Sequence, residues 1–197
     1  MRFPFVVAAY LLSRPHSSGF ARLAYGAFYF AISNLNLCEI ISFDMKIVLG
    51  SDHAGFELKA DLRAYLIERN IAVCDMGVAG EIPADYPEIA RAVAEKISRK
   101  EFAWGILVCG SGIGMSIVAN RFPGVRAALC HDLYTARMSR EHNDANLLVL
   151  GGRLIGKGLA REVTRVWLES TFQGGHHQRR LDQIESLDQE IIEGRRK

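Results

Sequence analysis

The stretch that decides the fold is Gly105-Ile106-Leu107-Val108-Cys109-Gly110-Ser111-Gly112-Ile113-Gly114. It opens with an apolar run of strand length, typical of a strand that is covered on both faces in a parallel sheet. The glycines that follow alternate with other residues before a helical pattern, which lets backbone N–H groups close around an anion. The spacing is neither the GxGxxG of dinucleotide folds nor a Walker loop, since no Lys-Ser or Lys-Thr follows. The stretch therefore predicts a strand, an anion-binding loop and a helix.

Strands of the same kind recur after residue 45, with helical patterns between them. We predict strands over residues 46–49, 71–75, 105–108, 127–130 and 147–150, and the later helices over 133–141, 156–171 and 178–192. Alternating strands and helices imply right-handed crossovers. The pattern predicts an α/β fold, a Rossmann-like, doubly wound, five-stranded parallel sheet with helices on both faces and a C-terminal helix. Ligands of such folds bind at the carboxyl ends of the strands.

Composition limits the class of protein. The 197 residues include 24 Lys and Arg and 22 Asp and Glu, a formal net charge of +2, and 49% of residues are hydrophobic. This is an ordinary globular composition without the clustered positive charge expected of a nucleic-acid-binding protein. The cysteines form no CxxC pair, so neither a disulfide framework nor a zinc site is indicated, and we expect free thiols and a cytoplasmic location. The four are Cys38, Cys74, Cys109 and Cys130.

Residues 1–44 differ from the rest, since they hold 9 of the 18 aromatic residues and no acidic residue before Glu39. A membrane anchor needs roughly 20 consecutive apolar residues, and the longest uncharged run, residues 23–38, is shorter and contains polar residues. The arginine and serine content fits a targeting presequence, although no cleavage site stands out. We favour a start codon placed too early, with one domain over residues 45–197 and no membrane segment, because a predicted strand follows Met45 directly.

The residues at the strand ends each have two interpretations. Asp52, after the first strand, is either a helix cap or a functional carboxylate. Cys109 is either a small core residue or a thiolate stabilised by the N–H groups that follow it. His142 is either a surface histidine or an acid/base. The basic segment 175–180 opens a predicted helix, where cations oppose the helix dipole, and this suggests a bound anion.

Together these segments resemble the sugar-phosphate isomerase family that includes B-type ribose-5-phosphate isomerases and galactose-6-phosphate isomerase subunits. The resemblance covers essentially all of residues 45–197 and none of residues 1–44. Its matching segments are residues 50–55, 85–87, 109–114, 120–121, 140–146, 151–153 and 174–180.

The resemblance implies the conversion of an aldose phosphate to its ketose through a cis-enediol(ate), with no metal and no organic cofactor. It implies that Cys109 moves the proton between C1 and C2 and that the Ser111 hydroxyl assists. It implies that His142, paired with Asp52, opens the sugar ring. The residues implied in binding the substrate and its phosphate are His53, Gly110, Gly112, Ile113, Gly114, Asn143, Arg153, His176 and Arg180.

In relatives the site lies at a dimer interface, with the His142 segment donated across it, so the resemblance implies a homodimer or homotetramer. Two positions depart from the family. Ser111 stands where relatives often carry Thr, which keeps the hydroxyl, and His176 stands where they carry the permanently charged Arg. The substrate we expect is D-ribose 5-phosphate. The alternatives are an isomerase of allose or galactose 6-phosphate and a non-catalytic sugar-phosphate-binding module, against which the joint presence of Cys109 and His142 weighs.

Overall fold

The computed structural model describes residues 45–194, which contain a five-stranded, all-parallel sheet. The order of the strands is β2-β1-β3-β5-β4. The strands are β1 (Lys46–Ser51), β2 (Ala72–Asp75), β3 (Trp104–Cys109), β4 (Ala127–Leu129) and β5 (Leu147–Gly151). The predicted doubly wound fold is confirmed. The interpretation of residues 1–44 lies outside the described residues.

Six α-helices and one short 3-10 turn, His53–Gly55, connect and flank the strands of the described part. The helices are α1 (Phe56–Glu68), α2 (Tyr86–Ser98), α3 (Ile113–Ala119), α4 (Leu133–Glu141), α5 (Lys157–Glu169) and α6 (His176–Gly194). The bounds of α4 match the prediction, whereas α6 begins two residues earlier than predicted. The reason is the pair Gly174 and Gly175, whose φ angles of 65° and 58° complete the turn before His176. No helix within residues 45–194 is long and apolar enough to cross a bilayer.

The sheet is buried on both faces, which explains its continuously apolar strands. On one face Ile106 and Val108 pack with α1, α4 and α5, around the fully buried Trp167. On the other face Leu107 and Cys109 pack with α2 and α3. Because successive strand residues point to opposite faces, every residue of a central strand meets a helix layer.

The chain adds β2 on one side of β1 and β3 on the other, so the order of strand addition reverses between the neighbours β1 and β3. The helix after β1 packs on one face, and the helix after β3 packs on the other. Where the connections that follow two neighbouring strands leave a parallel sheet on opposite faces, a crevice opens beyond the strand ends. The topology therefore places the loop 109–114 beside residues 52–55.

Candidate active site

A cavity of about 730 Å³ opens at the carboxyl ends of β1 and β3. It brings together most of the residues that sequence analysis selected at these strand ends. Those that line it are Asp52, His53, Cys109, Gly110, Ser111, Ile113, Gly114 and Arg153, with Ala54, Tyr86, Ile117 and Leu154 completing the wall.

The Cys109 thiol lies on the floor of this cavity with 5% of its surface exposed. The backbone N–H of Gly112 donates to its Sγ at 3.1 Å. Gly112 has a φ of 79°, and a Cβ there would lie 2.3 Å from Leu129 Cδ1, so glycine is required on both grounds. An N–H that points at sulfur stabilises a thiolate, so the geometry suits a reactive cysteine.

The rest of the loop holds a hydroxyl at the cavity wall and is covered by an aromatic ring. The backbone N–H of Ile113 donates to Ser111 Oγ at 3.4 Å. A Cβ on Gly114 would lie 2.5 Å from the ring of Tyr86, the first residue of α2. Tyr86 lies in a segment that resembles the family but had no predicted role, because the contact of its ring with Gly114 depends on how α2 packs beside the loop.

Asp52 and His53 form the side of the cavity that follows β1. Asp52 is buried, and its Oδ1 accepts the N–H of Gly55 at 3.0 Å, so the interpretation of Asp52 as a cap is confirmed. The Nδ1 of His53 accepts the N–H of Ala84 at 3.3 Å. A neutral His53 therefore carries its proton on Nε2.

The turn after β5 supplies the cation of the cavity. Gly152 N–H donates to Cys109 O at 2.7 Å, and Arg153 N–H donates to Gly110 O at 3.0 Å. These two bonds fix the backbone of the exposed Arg153 against the thiol-bearing loop. The position of the Arg153 backbone, which carries the guanidinium at the mouth of the cavity, is therefore set by main-chain hydrogen bonds.

Five predicted site residues do not line this cavity: Gly112, whose N–H points at the Cys109 sulfur, and His142, Asn143, His176 and Arg180. Of these, His142, His176 and Arg180 lie close to His177, where α4 ends and α6 begins. The rings of His142 and His177 stack with their centroids 4.1 Å apart and their planes at 10°. The ring of His176 lies 3.9 Å from that of His177 at 39°. Within the described residues the Asp52 carboxylate bonds to Gly55 and not to His142, so their pairing stays a prediction.

His177 is the residue of this junction that sequence analysis did not select. It is buried, whereas the selected His176 is exposed. Burial lowers the pKa of His177, and the neighbouring His176, His142 and Arg180 lower it further. The sequence offered only a pair of adjacent histidines, because which of the two is buried depends on where α6 begins.

A buried thiol under an N–H donor, with a guanidinium and an imidazole at the rim, is an arrangement that can support proton transfer on a small anionic molecule. A model of the Ribose/Galactose Isomerase family matches residues 47–184, and the chain belongs to that family. The protein is a sugar-phosphate isomerase.

Its relatives are similar over nearly their whole length. A putative sugar phosphate isomerase of Bacillus subtilis is 45% identical, over 75% of this chain and 100% of the relative. Ribose-5-phosphate isomerase B of Escherichia coli is 43% identical, over 73% of this chain and 97% of the relative. The structure of Clostridium thermocellum ribose-5-phosphate isomerase B superposes with a TM-score of 0.73 at 46% identity, covering 75% of this chain and 99% of the other.

Proposed function

We propose that the protein interconverts D-ribose 5-phosphate and D-ribulose 5-phosphate through a cis-enediolate. The observation that carries the proposal is the Cys109 thiol, which accepts the Gly112 N–H inside a cavity with Arg153 at its rim. The E. coli and C. thermocellum relatives bear the name of this activity. An aldose and its ketose differ only in the positions of hydrogens, so a base and oxyanion donors supply all the chemistry that the reaction needs.

The Cys109 thiolate takes the proton from C2 of the open aldose. The C–H electron pair forms the C1–C2 double bond, and the carbonyl pair moves to O1. The Ser111 hydroxyl passes a proton from O2 to O1, and Cys109 returns its proton to C1, which leaves the ketone at C2. Backbone N–H groups of the loop 110–114 stabilise the enediolate oxygen, and one such donor is worth roughly 3–4 kcal/mol.

Ribose 5-phosphate is mostly a closed ring, so the ring must open before the proton moves. In the proposal His142 and Asp52 transfer the proton of the C1 hydroxyl to the ring oxygen, and the bond from that oxygen to C1 breaks. The amide of Asn143, the residue after His142, binds substrate hydroxyls. His53, Arg153, His176 and Arg180 bind the phosphate.

We propose that two chains complete the site. His142 and Arg180 do not line the Cys109 cavity of their own chain, so the second chain brings them there. Large apolar side chains at the cavity rim are exposed, with Ile113 at 53%, Ile117 at 55% and Leu154 at 60%, and a second chain would cover them. Along α6, Ile184 and Leu187 are also exposed, which fits further assembly into a tetramer. We place the enzyme in the cytoplasm, where the Cys109 and Cys130 thiols stay reduced.

The test is an isomerase assay in which ribose 5-phosphate is supplied and ketose is measured. Galactose 6-phosphate and allose 6-phosphate serve as comparison substrates. We expect the highest kcat/KM with the pentose. Turnover of neither pentose nor hexose phosphates would refute the proposal, and a preference for a hexose would refute the assigned substrate.

A further inference from the structure

The junction between α4 and α6 contains a buried histidine for which the proposed mechanism has no use. The His177 ring is 6% exposed and stacks face to face on the half-buried ring of His142. We infer that His177 is a positioning residue, which holds the His142 imidazole in the orientation that opens the sugar ring. This inference rests on the proposed role of His142.

The chain fixes His177 in this place by contacts on the segment that leads into α6. Gln173 N–H donates to Glu141 O at 3.0 Å, and Gln173 Nε2 donates to Glu141 Oε2 at 3.0 Å. Glu141 is the last residue of α4 and directly precedes His142. Gly174 and Gly175 then turn the chain through the left-handed region, and His177 N–H bonds to Gly174 O at 3.0 Å. The stacked pair is therefore held by the backbone on both sides.

A positioning role is needed because the helix end holds the backbone of His142 but not its side chain. His142 caps the end of α4, where its backbone is held by a bond from its N–H to Met138 O at 2.9 Å. A half-exposed side chain at a helix end samples several rotamers, and each misplaced rotamer takes the imidazole out of hydrogen-bond reach of the substrate. The buried ring of His177, whose centroid lies 4.1 Å from that of His142, favours the one orientation of the His142 ring in which the two faces stack.

The charge state of His177 suits this role. The groups that face it are His142, which caps α4, and His176 and Arg180 from its own helix. Burial and the cationic neighbours lower the pKa of His177, so its ring stays neutral near pH 7. A neutral ring can stack on His142 in either protonation state of His142 without charge repulsion.

Two reactions separate ring opening from proton transfer. Isomerisation of ribose 5-phosphate needs both steps. Ribulose 5-phosphate cannot close a five-membered ring, because the hydroxyl on C5 carries the phosphate. Exchange of its C1 hydrogen in D₂O, followed by NMR, therefore reports the Cys109 step alone.

The variants are His177→Ala, which removes the ring, His177→Phe, which keeps a flat ring, and Gln178→Ala as the matched control. Gln178 is the next residue on α6, is exposed and bonds to Asp182 of its own helix. We expect His177→Ala to lower kcat for ribose 5-phosphate by about tenfold to 10²-fold, with KM and the C1 exchange rate close to wild type. We expect His177→Phe to recover most of the loss and Gln178→Ala to behave as wild type.

Equal losses of isomerisation and exchange in His177→Ala would overturn the inference, and so would no loss of either. A folded His177→Phe that recovers nothing would overturn the role of stacking. If His177→Ala is not recovered as a folded protein, His177→Asn removes the ring with a polar side chain and takes its place. A wild-type protein that catalyses neither reaction would instead refute the proposed function.

Discussion

The loop after β3 and the junction between α4 and α6 supply the two halves of the proposed site, and they are built in different ways. The loop positions Cys109 through main-chain bonds that span only a few residues, such as the one from Gly112 N–H to Sγ. The junction positions His142 through side chains more than thirty residues away, on α6 and on the segment that leads into it. The first half follows from local sequence and sheet topology, and the second depends on where α6 begins.

The largest effect on kcat is expected when the proposed base in the loop after β3 is removed. Cys109→Ala removes the proposed base, and we expect kcat for ribose 5-phosphate to fall by about 10²–10⁴-fold with little change in melting temperature. Steady-state kinetics and thermal unfolding measure the two. If the variant keeps more than about a tenth of the wild-type kcat, Cys109 is not the base.

Cys130 serves as an internal control for the reactivity of Cys109. Burial raises the pKa of Cys130 to about 11, so it remains a thiol at pH 8, whereas Cys109 lines the cavity and its Sγ accepts the Gly112 N–H. We expect iodoacetamide to label Cys109 faster than Cys130 and ribose 5-phosphate to slow only the labelling of Cys109, as peptide mapping would show.

The next effect tests whether the geometry of the loop, and not only its thiol, is required. Gly112→Ala forces a side chain into a φ of 79° and against Leu129, which should displace the N–H from Sγ and lower kcat on the order of 10²-fold. Gly124→Ala is the control, because its φ of 74° carries the same backbone strain while no atom lies within 4 Å of the added Cβ. Equal kinetics for the two variants would mean that the contact with Cys109 is dispensable.

The two halves of the proposed site differ in how much of each could be predicted from the sequence. The strands were predictable to within about two residues because burial on both faces makes them continuously apolar. The loop 109–114 was predictable because its glycines are adjacent in sequence. The stack of His142 on His177 was not, because it needs Gln173 to contact Glu141 and two glycines to place His177 inward. The exposed His176 was predicted from the resemblance, because relatives carry Arg there, whereas the buried His177 was not predicted.

A smaller effect is expected at His176, where relatives carry Arg. His176→Arg adds a permanent, two-pronged donor and should lower KM for ribose 5-phosphate roughly tenfold, since one charge-assisted hydrogen bond is worth about 1.5–3 kcal/mol. The effect on kcat should be smaller, because the phosphate is remote from the transferred proton. Arg179→Ala is the control, since a helix turns successive side chains by about 100°. An unchanged KM in His176→Arg would remove His176 from the phosphate site.

The smallest effect is expected when residues 1–44 are removed. A chain shortened to begin at Met45 keeps every segment that carries the proposed chemistry, so we expect it to show the same kcat/KM and the same oligomeric state by light scattering. Loss of the assembled protein on removal of residues 1–44 would contradict the proposal that the domain begins at residue 45.

The central claim is that the Cys109 cavity and the His142 junction act together from two different chains. Cys109→Ala and His142→Asn, each nearly inactive alone, are co-expressed with different affinity tags, and the mixed dimer is purified. In a symmetric dimer whose sites are shared, one of the two sites is then intact, so we predict about half of the wild-type kcat on ribose 5-phosphate. If each site belonged to one chain, both sites of the mixed dimer would be damaged. A mixed dimer as inactive as its parents would contradict the account.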